Sequence, residues 1–176
     1  LRLAIGGLPG SGTTTLARLL SERLGIPMVS SGELFREMAN ERGLSLSQFG
    51  ELCERTPEVD REIDERMRRA SREMDSGIFE ARLAAHFAIA DLKVWLKAPA
   101  EVRAMRVAQR EGIEVERALS VMLEREKSEH TRYMKYYGID LHDLSPYDVV
   151  LDSHTFNPEQ LAEIVLCCIA QLSSGR

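Results

Sequence analysis

Disulfides, metal clusters and membrane anchors leave almost no trace in this chain of 176 residues. Its three cysteines, Cys53, Cys167 and Cys168, are odd in number, two are adjacent, and none lies in a zinc or redox spacing. That excludes a disulfide framework and points to thiols in a reducing compartment. No uninterrupted apolar run is long enough to span a bilayer, and the chain opens on a strand-like run, not on a charged-then-apolar export signal, so a cytoplasmic protein is expected. Surplus positive charge is lacking too. A net charge of −5 argues against a nucleic-acid binder, yet leaves room for arginines gathered in a cleft to serve a small anionic ligand. His86, His130, His142 and His154 show no metal-ligand spacing, and Ser11 has no paired His and Asp for a nucleophilic triad. Neither an internal repeat nor a low-complexity tract is present, and the length fits one domain that buries its own core.

What is present centres on Gly7, Leu8, Pro9, Gly10, Ser11, Gly12, Thr13, Thr14 and Thr15, between the apolar run Leu3-Ala4-Ile5 and the helical pattern Leu16, Leu19, Leu20, Leu24. Strand, glycine-rich loop and helix in that order place backbone N–H groups and the positive end of a helix dipole around a phosphate. Against G-x-x-x-x-G-K-[ST], the matches are Gly7, Gly12 and Thr14. Thr13 stands where a lysine would reach the β- and γ-phosphates. A glycine-rich turn without a ligand is the plain alternative.

The first helix spans about 13–24 and stops at Gly25, and residues 26–30 read as a second strand. The next strand-like run is Gly77 to Glu80, which leaves about 31–75 as a long helical insertion. Within it one helix covers 32–42, Ser45-x-x-Gln48 opens a second as a capping box, and Thr56-Pro57 starts a third. That third helix carries an apolar stripe of Val59, Ile63, Met67, Ala70 and Met74; its charged run, Arg61 to Arg72, reads as a solvated face with intrahelical ion pairs. A strand at 92–98, a helix to Gly112, a long helix at about 114–137 ended by Gly138, a strand at 147–152 and a final helix capped by Asn157-Pro158-Glu159-Gln160 complete the chain. Strands alternating with helices favour an α/β fold with a parallel sheet and ligands at the strands' carboxyl ends.

Candidate chemistry follows those ends. Ser30 or Ser31 can cap a helix, and Arg36, one turn on, can fork onto a monoester phosphate. Glu80 and Arg82 follow the third strand, where they can orient metal-bound water and clamp phosphate, or simply form an ion pair at the sheet edge. Arg103, Arg106 and Arg110 share one helix face, as do Arg125, Glu129 and Arg132. Each set can be a phosphate-facing comb or an exposed charged surface.

Taken together, these stretches, with Pro57-Glu58-Val59-Asp60, Ile63-Asp64, Arg110-Glu111-Gly112, Arg132-Tyr133 and Tyr136 to Asp140, closely resemble the archaeal-type cytidylate kinases of the nucleoside monophosphate kinase family. The resemblance covers nearly the whole chain. It implies a P-loop NTPase-type three-layer α/β/α fold with a five-stranded parallel sheet: core at 1–30, 76–111 and 141–176, monophosphate-binding insertion at about 31–75, and lid at about 112–140. It implies Mg²⁺-dependent phosphorylation of CMP, and dCMP, by ATP in a monomer that binds neither nucleic acid nor membrane. Residues 7–15 would hold ATP, and Thr14 and Glu80 the metal. Ser31, Arg36, Arg82 and Glu129 would bind the acceptor, with Arg82, Arg125 and Arg132 catalytic. Another monophosphate kinase, acting on AMP or UMP, or a non-catalytic nucleotide sensor that tolerates Thr13, is the alternative.

Overall fold

The computed structural model describes residues 1–174. Its sheet is five-stranded and wholly parallel in the order β2-β3-β1-β4-β5. The strands are β1 (Arg2–Gly7), β2 (Met28–Ser30), β3 (Gly77–Glu80), β4 (Leu92–Lys97) and β5 (Val149–Asp152). Strand β1 lies at the centre, with Leu3, Ala4 and Ile5 fully buried, because a continuous apolar run suits a strand covered on both faces. Alternation sends Leu3 and Ile5 one way and Ala4 the other. The first pair joins Leu16 and Leu20 of α1 (Thr13–Leu24) and Leu161 and Val165 of α8 (Pro158–Ser174), while Ala4 meets Phe79, Met67 and Ala84.

The insertion consists of α2 (Ser31–Glu41), α3 (Leu46–Arg55) and α4 (Pro57–Glu73), which close a small core of their own from Met38, Phe49, Cys53, Val59 and Ile63. Local rules fix its ends. Ser45 and Gln48 exchange both hydrogen bonds of a capping box, and Pro57 sits in the first turn of α4. The charged run on α4 pairs within the helix, Arg66 with Glu62 and Arg68 with Glu65, and also across to α2 through Arg66–Glu41 and Arg42–Glu62. Helix α4 is thus both stripe and strut: Met67 reaches the main core while its polar face holds α2.

Three departures from the sequence reading have local causes. Strand β2 begins at Met28, not residue 26, since Ile26 N–H turns back to the Ser21 carbonyl and Pro27 has no N–H to give the ladder. Strand β5 begins at Val149, because Tyr147 closes a turn on the Leu144 carbonyl. A single helical turn, α5 (Ala84–Phe87), follows β3; four residues are too few to show a period. Helices α6 (Ala100–Glu111) and α7 (Val115–Tyr137) pack through Ala104, Val107, Ala108, Ala118 and Met122. Among the described residues no helix is long and apolar enough to cross a membrane.

Candidate active site

At the carboxyl end of β1 the chain wraps into a loop held by its own backbone. The Ser11 N–H and hydroxyl both donate to the Leu8 carbonyl, at 3.1 and 2.7 Å. Two glycines are obligatory for different reasons. A Cβ on Gly7 would lie 2.4 Å from Ser11 Oγ and 2.8 Å from the Leu96 carbonyl, whereas Gly10 combines φ +79° with the Arg103 carbonyl 2.6 Å from its missing Cβ. Gly12, at φ +93°, supplies no side-chain cap to α1 and faces open space. The first-turn N–H groups of Thr13, Thr14 and Thr15 therefore have no intrahelical or capping acceptor, which is how a helix N-terminus receives an anion.

Thr13, in the lysine position, donates its hydroxyl to Glu80 Oε1 at 2.7 Å. Glu80 is buried at the end of β3, beside the loop, and Thr14 is exposed on the next residue of the helix. The Thr14 hydroxyl and the Glu80 carboxylate each offer oxygen, the donor type that suits Mg²⁺. The arginines of α6 do not form a phosphate-facing comb. Arg103 is buried and donates to the Ala98 and Pro9 carbonyls at 3.0 and 3.1 Å while pairing with Glu126. Arg106 donates to the Gly10 carbonyl at 3.1 Å and to Ser153 Oγ and O at 3.0 and 2.7 Å. Both brace the loop from behind, since a buried guanidinium must find acceptors and the loop carbonyls are the nearest. Arg110 lies exposed beside Glu111.

The front of the loop belongs to Arg82. Its guanidinium donates to the Gly7 carbonyl and, through Nε, to Glu129 Oε2 at 2.8 Å. The other oxygen of Glu129 accepts from Arg125 Nε, also at 2.8 Å. Glu129 is only 4% exposed. Burial alone would push its carboxyl up, but Arg82 and Arg125 together overcome that and hold it below the usual range. Arg82 shifts the opposite way, upward: burial works against its charge and Glu129 more than offsets it. Helix α7 thereby joins the turn after β3, and Leu83, Phe87, Tyr133 and Tyr137 seal the contact with apolar surface.

One turn further on, Arg132 Nε stands 3.2 Å from Asp60 Oδ2 of α4, and Tyr137 donates to Asp64 Oδ2 at 2.7 Å. These bridges, with Arg61 over the Tyr136 ring at 5.6 Å, span from the insertion to α7. Neither aspartate stands out as a site residue in the sequence; their i, i+4 spacing on the stripe side of α4 is the signal that marks them. Burial raises Asp60, with Arg132 opposing, and pushes Asp64 up to about 7, where the Tyr137 hydrogen bond opposes and Asp60 adds to the shift. The serines and Arg36 share no hydrogen bond or ion pair with this cluster among the described residues, although Ser30 pairs in register with Glu80. Ser30 caps α2 by accepting from Gly32 N at 3.2 Å, Ser31 is its first residue, and exposed Arg36 has no partner among the described residues.

An uncapped helix N-terminus after a central parallel strand, with a carboxylate and three arginines around it, defines a P-loop protein of small-molecule kinase architecture. Solved structures show the same fold: an uncharacterized protein from Eubacterium ventriosum (TM-score 0.71, 20% identity, 97% of this chain and 98% of that one) and shikimate kinase from Aquifex aeolicus (TM-score 0.61, 21% identity, all of both chains). The sequence pattern of the cytidylate kinase-like family matches residues 2–155. Curated relatives include the cytidylate kinases of Methanopyrus kandleri, 50% identical over 97% of this chain and 93% of its own, and of Pyrococcus abyssi, 47% identical over 98% and 95%. The chain belongs to the cytidylate kinase-like family.

The Asp64 shift predicts a pH signature. Because its folded pKa, about 7, exceeds the ordinary 3.8, the folded state binds the extra proton between those values, so this group's contribution to stability falls as pH rises through that window. Asp64→Asn keeps an acceptor for Tyr137 and removes the titration. Its stability relative to the unmodified protein should climb from pH about 4 to about 7 and then level off in urea unfolding series; a difference that does not vary with pH contradicts the assignment.

Proposed function

We propose that this protein is a cytidylate kinase, transferring the γ-phosphoryl group of ATP to CMP and dCMP. The choice of acceptor rests on the family and its curated relatives. The observation that carries the reaction type is the Arg82 junction, which brings a cation to the phosphate loop from β3 and binds it to the lid helix through Glu129. On this reading the monomeric enzyme works in the cytoplasm on free nucleotides.

Within residues 7–15 the first-turn N–H groups of Thr13, Thr14 and Thr15 hold the ATP phosphates, Pro9 having no N–H and Ser11 giving its own to the Leu8 carbonyl. Mg²⁺, placed by Thr14 and Glu80, neutralises phosphate charge when bound. Thr13 cannot supply a cation, but its hydroxyl fixes the Glu80 carboxylate, and Arg82 stands at the Gly7 end of the loop where charge is needed. Arg36 and Arg82 hold the acceptor phosphate, and Ser31, the first residue of α2, holds the acceptor's base or phosphate. Arg125 and Arg132 act on the transferring group. Both rest on carboxylates, Glu129 and Asp60, so an arriving phosphate replaces one anion by another and neither arginine crosses an unpaired state. Transfer itself needs in-line placement and charge stabilisation, with no covalent enzyme intermediate.

A coupled ADP-release assay with ATP, Mg²⁺ and CMP, dCMP, UMP or AMP tests the assignment directly. CMP should give the highest kcat/KM; AMP or UMP turning over as well as CMP contradicts it, and tight nucleotide binding without turnover means a sensor. Arg125→Ala and Arg132→Ala should lower kcat by about 10³ or more with little change in nucleotide affinity. Weakened binding with normal turnover at saturation would instead assign both to ground-state contacts.

A further inference from the structure

We propose that His130, Asp140 and His142 form a binding site for one divalent transition-metal ion, with Zn²⁺ as the best match. The site lies outside the catalytic cluster and owes nothing to the kinase reading.

The backbone assembles it. Gly138, at φ +65°, ends α7, its N–H returning to the Met134 carbonyl at 3.0 Å, and the Ile139 N–H returns to Tyr133 at 3.2 Å. Buried Leu141 then anchors the returning chain against Leu83 and Phe87. This reversal lays Asp140 and His142 beside His130, two turns back on the helix. One ligand atom from each residue lies within 4.8 Å of the other two. The His130 and His142 rings are 5.0 Å apart and tilted by 42°.

Two observations mark the group as more than a polar surface. First, His130 Nδ1 is shielded from solvent yet has no hydrogen-bond partner, an exception among buried polar atoms. Second, that nitrogen stands 3.6 Å from Asp140 Oδ1, too far for a hydrogen bond but close to the edge, about 3.3 Å, of a tetrahedron with zinc-ligand bonds of ordinary length. The carboxylate is already held in orientation, since its Oδ1 accepts from the His142 N–H at 2.8 Å and keeps a second lone pair on that oxygen for an ion. Exposed His142 closes the remaining distance by side-chain rotation. Two imidazoles and one carboxylate favour Zn²⁺, Ni²⁺ or Co²⁺ over the oxygen-seeking Mg²⁺ of the nucleotide site, and water completes the fourth position. Because His130 directly follows Glu129 on α7, a bound ion fastens the lid helix to the segment after it, next to the residue that holds Arg82 and Arg125.

The test uses the full chain, stripped of metal by a chelator and free of nucleotide. Calorimetric titration with Zn²⁺ should show one ion per chain and raise Tm, and Co²⁺ as a probe should give the visible absorption of a four-coordinate site. His130→Ala and His142→Ala should each lower Zn²⁺ affinity by at least about tenfold. Their metal-free Tm should stay close to that of the unmodified protein, which separates ligand loss from misfolding. Cys167→Ser/Cys168→Ser should bind normally. The proposal is overturned by absence of Zn²⁺ binding at micromolar concentration, by undiminished binding in the His130→Ala/His142→Ala double variant, or by loss of binding in the cysteine variant.

Discussion

A carboxylate in a nearly dry site must be neutralised or paired, and the placement of Glu129 between two arginines is the constraint from which the active-site geometry follows. Removing two charges from water costs several kcal/mol per ion, so the pair persists only where geometry and extra hydrogen bonds are good. Here Arg82 also donates from Nη1 to the Gly7 carbonyl, and Arg125 approaches Glu129 from within the same helix. One buried acid thus ties the first glycine of the loop, the turn after β3 and helix α7 into a single unit. The apolar seal of Leu83, Phe87 and Tyr133 keeps water from loosening it.

Around that centre, opposite charges recur in pairs whose exposure differs. Arg103 and Glu126 are mostly buried and brace the loop, Arg132 and Asp60 are partly exposed and span from α7 to α4, and the α2–α4 pairs are more exposed. Exposed pairs contribute little to stability, typically under about 1 kcal/mol each, so the insertion is held by its apolar core more than by its many ion pairs. The missing P-loop lysine fits the same pattern. A lysine at position 13 would stand beside buried Glu80 and pair with it, whereas Thr13 holds the same side chain by a hydroxyl hydrogen bond.

Much of the fold was legible because it obeys local rules. The glycines at 25, 112 and 138 end helices in left-handed conformation, the Ser45/Gln48 box opens α3, and the stripe on α4 predicts its buried face. Resemblance supplied the family. Partners across the fold were not legible, since periodicity tells which face a residue occupies and not what waits opposite. Arg103 and Arg106 looked like a phosphate comb because spacing cannot show that loop carbonyls lie against that face. Glu129 and Arg82 are 47 residues apart, and only the strand order brings them together. The histidines failed every local spacing test because a chain reversal at Gly138, not a helix repeat, aligns them.

Whether Glu129 welds helix α7 to the loop through Arg82 is tested most directly by a double-mutant cycle of Arg82→Gln and Glu129→Gln, read as unfolding free energy in urea. Glu129→Gln strands Arg82 and should be strongly destabilising, by about 3–5 kcal/mol, Arg82→Gln leaves Glu129 with Arg125 alone and should cost less, and the double variant should lose much less than the sum, with a coupling of about 2 kcal/mol or more. Additivity within about 0.5 kcal/mol would contradict the account.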